Sequence, residues 1–219
     1  MRKQCFIVVS LLIVIGILIN LEIIGPKGHK TSLYNRSMPN LYAKVVGADR
    51  KIHRENLAII DEIMKKYEID YNLSCGTALG VRREGEIIEG DEDVDIEIDI
   101  KYLDKVKEII DYFKKNEFQL VRYWVDTPLN SKKKINLISF HRNLHYVDIE
   151  FSGEDMNCIT VNDNPPRGCD EFLKLKEPYQ YGKIGNMEYK IPSDKYLEYL
   201  YGEDWMIPRK KKPHDTKRD

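Results

Sequence analysis

Between Glu84 and Asp99 the chain carries nine carboxylates (Glu84, Glu86, Glu89, Asp91, Glu92, Asp93, Asp95, Glu97 and Asp99) and no Lys or Arg. Within this run residues 91–100 alternate strictly, with Val94, Ile96, Ile98 and Ile100 on one side and Asp93, Asp95, Glu97 and Asp99 on the other. That period of two describes a strand with one buried face. Two unit charges ~4 Å apart repel by about 4 kcal/mol at an effective dielectric of 20, so such a strand favours a bound cation or raised carboxyl pKa values. Asp93 and Asp95 fall on one face, roughly 6.6 Å apart along the backbone, where they can converge on one metal or flank a pair.

A third carboxylate comes from Tyr146-Val147-Asp148-Ile149-Glu150-Phe151, where Val147, Ile149 and Phe151 point inward and leave Asp148 on the opposite face. If this strand pairs with the first, Asp148 joins Asp93 and Asp95. Three acids on two rigid strands suit Mg²⁺ in phosphoryl chemistry, since the ion prefers oxygen ligands and substrate phosphates complete its octahedron. An ordinary solvated strand would interleave Lys or Arg opposite its acids. A calcium loop fits only at first: Asp91-x-Asp93-x-Asp95 copies the opening of an EF-hand, but Ile96 stands at the sixth position and Tyr102 at the twelfth.

Gly76-Thr77-Ala78-Leu79-Gly80 lies between an expected short strand at 69–74 and an expected helix at 78–83. There, backbone N–H groups and a hydroxyl can meet a phosphate oxygen. Arg82 and Arg83 follow, and a guanidinium could hold that phosphate bidentately. The glycine spacing fits neither G-x-G-x-x-G nor G-x-x-x-x-G-K-[ST], which removes the Rossmann and P-loop readings.

The remaining periodicities describe a mixed α/β domain. Helical spacing covers 49–67 and 102–116; strands are expected at 118–125, 135–141 and 145–151. Ile184-Gly185-Asn186-Met187 predicts a tight hairpin, and Ser193 caps a last helix that stops at Gly202. With 35 Lys+Arg against 36 Asp+Glu, a net charge of −1 gives no basis for non-specific nucleic-acid binding. The tail 209–219 is locally basic and reads as solvated.

Arg2-Lys3 precedes an uncharged, largely apolar run from Gln4 to Leu21. Its length exceeds the usual core of a cleaved signal, and no A-x-A-like site follows, so residues 1–24 are expected to form a single membrane-spanning signal anchor. The basic pair stays cytoplasmic and the body outside the cytosol, a type II arrangement facing the Golgi or ER lumen in a eukaryotic cell. Residues 25–48 then form a stem, and Asn35-Arg36-Ser37 fits an N-glycosylation acceptor. Cys158 and Cys169 either pair or remain thiols. His141, His145 and Trp124 receive packing or surface roles.

The ordered set Gly76-Thr77-Ala78-Leu79-Gly80-Val81-Arg82, Ile88, Asp91-Glu92-Asp93-Val94-Asp95-Ile96 and Val147-Asp148-Ile149 resembles the LicD/fukutin family of nucleotidyltransferase-fold phosphotransferases. The closing Tyr199-Leu200-Tyr201-Gly202-Glu203-Asp204-Trp205 through Pro208 is similar too, so the resemblance spans about residues 50–208. It implies a nucleotidyltransferase-like mixed sheet flanked by helices, with 49–208 as the catalytic domain. The implied activity is transfer of a substituted phosphate, such as phosphocholine or ribitol phosphate, from a CDP-linked donor to a glycan hydroxyl. Asp93, Asp95 and Asp148 would hold Mg²⁺ or Mn²⁺ and carry catalysis, while Gly76, Thr77, Gly80 and Arg82 would steady the donor phosphates. The chain departs from the family where Glu89-Gly90 replaces a common Pro-Trp. Nucleotidyl transfer with pyrophosphate release uses the same three acids, and a non-catalytic membrane-tethered or glycan-binding protein is the rival outside enzymology.

Overall fold

The computed structural model describes residues 22–24, 30–32, 48–126, 134–153 and 170–208. The apolar run 4–21, Asn35, Cys158, Cys169 and the tail 209–219 lie outside them. Of the expected anchor 1–24, only Glu22–Ile24 is described, and it is strand β1, paired antiparallel with β2 (Lys30–Ser32). Among the described residues no helix is long and apolar enough to cross a membrane.

Helix α1 (Arg50–Lys66) begins where the side chain of Asp49 accepts the Lys51 N–H at 2.8 Å, and it ends on Lys65 and Lys66, whose charge suits a helix C-terminus. Its buried stripe includes Leu57, Ile60, Ile63 and Met64. After β3 (Tyr71–Leu73) comes α2 (Cys75–Glu84), then β4 (Asp93–Asp99), a 3₁₀ turn at Ile100–Tyr102 and α3 (Leu103–Lys115). The hairpin strands β5 (Gln119–Asp126) and β6 (Lys134–Arg142) lead to β7 (His145–Ser152) through Asn143-Leu144, both at positive φ. The order in the central sheet is β3-β4-β7-β6-β5; β4 and β7 run parallel and the other neighbours antiparallel.

One face of this sheet is apolar. Val94, Ile96, Ile98, Val147, Ile149, Phe151, Ile138 and Phe140 are all buried, and Phe113 of α3 stacks on Phe140 with ring centroids 4.6 Å apart. Burial of that many aliphatic and aromatic side chains is what holds the strands in place.

The C-terminal unit comprises α4 (Asp170–Leu175), the hairpin β8 (Gln180–Ile184) and β9 (Met187–Ile191) turning at Gly185-Asn186, and α5 (Asp194–Tyr201). The turn and the Ser193 cap match the sequence expectation: Ser193 Oγ accepts the Tyr196 N–H at 3.3 Å, and Gly202 ends α5 at φ +89°.

Two expectations change. Gly76-Thr77 is not a turn before a helix, because α2 already starts at Cys75 and both residues lie in its first turn. Glu97 does not share the open polar face of its neighbours: it is 6% exposed and bonded by Lys176, itself 1% exposed, while Ser152 Oγ donates to the same oxygen at 2.7 Å.

Breaking a buried pair strands a charge. Lys176→Met should therefore destabilise the protein by about 3–5 kcal/mol in a denaturant titration, and adding Glu97→Gln should restore most of the loss. Equal midpoints for wild type and Lys176→Met would show that the pair contributes nothing.

Candidate functional site

The β4–β7 register sets Asp95 directly beside Asp148, with Asp93 beside Tyr146 and Glu97 beside Glu150. Side chains in neighbouring register positions share a face, so Asp93, Asp95 and Asp148 project together from the polar side of the sheet. One carboxylate oxygen from each lies within 4.8 Å of the others. Asp148 is 6% exposed and Asp93 is half-buried. Removal of the Asp95 carboxyl from water, reinforced by the charges of Asp93, Glu150, Asp148 and Asp91, pushes it well above the usual carboxylate range. Three converging acids with oxygen donors only, one resisting ionisation, fit a hard divalent cation.

Helix α2 delivers its first turn to this cluster. Thr77 is fully buried and its Oγ1 accepts the Asp95 N–H at 2.9 Å, so it locks the helix to the acidic strand. A Cβ on Gly76 would stand 2.6 Å from Asp91 Oδ2, so only glycine lets that carboxylate lie against the helix without a shift. The glycine and the threonine of the motif are therefore both next to the acids.

Gly80 and Arg82 are placed differently from a phosphate grip. A Cβ at Gly80 would come within 2.6 Å of the Glu86 carbonyl and 2.9 Å of Ile88, so this glycine serves close packing of α2 on the 86–88 segment. Arg82 Nε and Nη2 donate to Asp194 at 2.7 and 2.8 Å, a fork that joins α2 to the start of α5. A pairing across 112 residues leaves no local trace in the sequence.

Several further residues at the cluster are absent from the sequence-based set of site residues. Glu150 follows Asp148 by two positions, so the period that exposed Asp148 also places Glu150 on the polar face; its Oε2 accepts from Ser74 Oγ at 3.2 Å and from Cys75 Sγ at 3.6 Å. His53 Nε2 meets the Asp91 carbonyl at 3.1 Å, and its ring packs edge-on against His145 with centroids 4.8 Å apart. His145 Nδ1 donates to the Asn143 carbonyl at 2.7 Å while Nε2 accepts the Asp49 N–H at 2.8 Å, which ties the start of α1 to the start of β7. Burial, then the neighbouring His145, lowers the His53 pKa to about 4. Asn72, which with Leu73 and Ser74 also fits the N-glycosylation acceptor pattern, is buried, with its amide nitrogen donating to the Leu73 carbonyl.

A family model described as the LicD/FKTN/FKRP nucleotidyltransferase domain matches residues 68–194. Among solved structures, the lincomycin-bound lincosamide antibiotic adenylyltransferase LnuA aligns at 14% identity and a TM-score of 0.39, covering 64% of this chain and 79% of that one. ANT(2")-Ia in complex with adenylyl-2"-tobramycin aligns at 15% identity and a TM-score of 0.39, covering 68% of this chain and 77% of that one. No curated protein matches the chain.

Two outcomes follow from the charges. Asp95→Asn should raise the stability of the metal-free protein by about 1–2 kcal/mol, because it removes a repelled carboxylate. Mg²⁺ should raise the Tm of wild type and not of the variant; equal Mg²⁺ shifts in both would remove Asp95 from the ion site. For His53, the folded pKa lies below the unfolded value of 6.5, so its contribution is complete above pH 6.5 and is lost as pH falls through about 4. The loss amounts to roughly 3 kcal/mol, and denaturation at pH 7.5 and 4.5 should show His53→Gln losing less stability on acidification than wild type.

Proposed function

Because the chain belongs to the LicD/FKTN/FKRP nucleotidyltransferase-domain family, matched over residues 68–194, we propose that it transfers a substituted phosphate from a CDP-linked donor to a glycan hydroxyl. Membership makes it a transferase of the nucleotidyl- or phosphotransferase type. The donor, the transferred group (phosphocholine, ribitol phosphate or similar) and the acceptor are the proposal. The observation that supports it is the convergence of Asp93, Asp95 and Asp148 within 4.8 Å.

Those three acids would hold Mg²⁺ or Mn²⁺, the hard ions that an all-oxygen donor set suits. When bound, such an ion supplies positive charge against the negative charge that develops on the transferred phosphoryl group. The chain's own residues orient the reactants. The first-turn N–H groups of α2, at Gly76 and Thr77, favour donor phosphate oxygens beside the acids. Arg82 and Gly80 brace that turn rather than touch the donor. Asp148 takes the proton of the attacking hydroxyl, a new oxygen–phosphorus bond forms, and the bond from that phosphorus to the CMP oxygen breaks.

The family's description as a nucleotidyltransferase domain favours one second reading: attack at the nucleotide's own α-phosphorus, with pyrophosphate leaving. We also propose that 49–208 is the catalytic domain and that the run 4–21 anchors the chain as a type II membrane protein, its catalytic domain in the Golgi or ER lumen. The basic Arg2-Lys3 ahead of that run supports the orientation.

Incubation with CDP-ribitol or CDP-choline, Mg²⁺ and a glycan panel should release CMP only when metal and acceptor are present. Asp93→Asn and Asp148→Asn should each lower kcat by about 10³-fold or more, a loss of ~4 kcal/mol of transition-state stabilisation, with an unchanged far-ultraviolet circular dichroism spectrum. Pyrophosphate as the product selects the second reading. Ligand binding without turnover selects a non-catalytic role, and near-normal activity in either variant refutes the assignment of the acids.

A further inference from the structure

His141 lies on β6 opposite Tyr146, and its neighbour two residues back, Ser139, lies opposite Asp148. Register therefore places the imidazole on the same face as the acids, in the rung Asp93–Tyr146–His141 next to the rung Asp95–Asp148–Ser139. The diagonal from His141 to Asp148 spans roughly 7–8 Å between Cα atoms, and His141 is two strands away from Asp93.

The side chain is 6% exposed, yet neither Nδ1 nor Nε2 has a hydrogen-bond partner. Orphaned buried polar atoms are uncommon in native structures, and each carries the full cost of its lost hydration. Among the described residues His53 also has a buried, unpartnered ring nitrogen, Nδ1, but it bonds the Asp91 carbonyl through Nε2. A residue held for packing alone would be better served by Leu or Phe on this sheet.

We propose that His141 is a substrate-contacting residue whose imidazole, one nitrogen donating and the other accepting, receives a sugar hydroxyl beside the carboxylate cluster. The inference rests on the transferase reading above. A hydroxyl is matched to a neutral imidazole because each is at once donor and acceptor. A phosphate would be matched to a cation instead. Burial alone lowers the His141 pKa to about 4, so the ring remains neutral at physiological pH and is a poor proton acceptor. Its part is recognition rather than proton transfer. The hydroxyl belongs either to the donor's ribose or to the acceptor.

Nitrogen NMR of the imidazole in Mg²⁺-loaded protein separates them. CMP, which carries the donor's ribose, forms one arm, and a simple methyl glycoside, which carries acceptor-type sugar hydroxyls, forms the other. The expected result is a shift of the His141 nitrogens in one arm. His141→Leu should then raise the KM of the corresponding substrate about tenfold with kcat changed less than threefold. Its Tm should be equal or higher, and His141→Gln should recover part of the KM. A residue with a purely structural role would lower Tm and leave KM alone. If the glycoside moves His141 while CMP moves no resonance in the protein, the contact stands and the nucleotide-donor reading falls. Silence of His141 in both arms, or an unaltered KM in His141→Leu, overturns the contact.

Discussion

The parallel pairing of β4 with β7 is the constraint from which the site follows. Val94, Ile96 and Ile98 lie beside Val147, Ile149 and Phe151, all buried on one side. Because a strand repeats every two residues, the same register forces Asp95 beside Asp148 on the other side. A slip of one residue would put an acid into the apolar layer. The burial that stabilises the sheet thus also enforces the close approach of carboxylates that repel one another. The repulsion is offset by buried aliphatic area and by the Phe113–Phe140 stack on the opposite face.

Containment of the remaining charge is shared among distant elements. Lys176 takes Glu97 out of the repulsive set by pairing with it inside the protein. Ser74 and Cys75 donate to Glu150. The His53–His145 pair ties α1 both to the carbonyl of Asp91 and to the turn before β7, so the loop that leads into the acidic strand is fastened from the helix as well as along the chain. The raised pKa of Asp95 reflects first its removal from water and then what remains of the repulsion. It makes the cluster less stable without a counter-ion than with one, as a site built for binding a cation requires.

The period of two made β4 and the acidic face legible from sequence, and the same period marked Asp148 as the third acid once pairing was granted. The hairpin at Gly185-Asn186 and the Ser193 cap were legible because turn chemistry is local. What was not legible depends on partners remote in the chain. Arg82 reads as a phosphate ligand until Asp194 is brought to it, and Glu97 reads as one more surface acid until Lys176 is. The start of α2 was misplaced because Gly76 and Thr77 are weak helix formers. Thr77 Oγ1 on the Asp95 N–H and the fit of Asp91 against Gly76 override that preference. Gly90 sits at φ +75°, a left-handed conformation that suits glycine at the entry to the acidic strand.

Helix α2 explains why a closing segment a hundred residues downstream belongs to the same functional unit. Its first turn holds Asp95 through Thr77. Its middle packs on Glu86–Ile88 at Gly80, and on Gly182 of β8 at Val81, where any added Cβ would stand 2.5 Å from Val81 Cγ1. Its last turn is forked to Asp194 by Arg82. Through these contacts α2 links the C-terminal hairpin and the start of α5 to the acidic strand, even though none of their residues is one of the three acids.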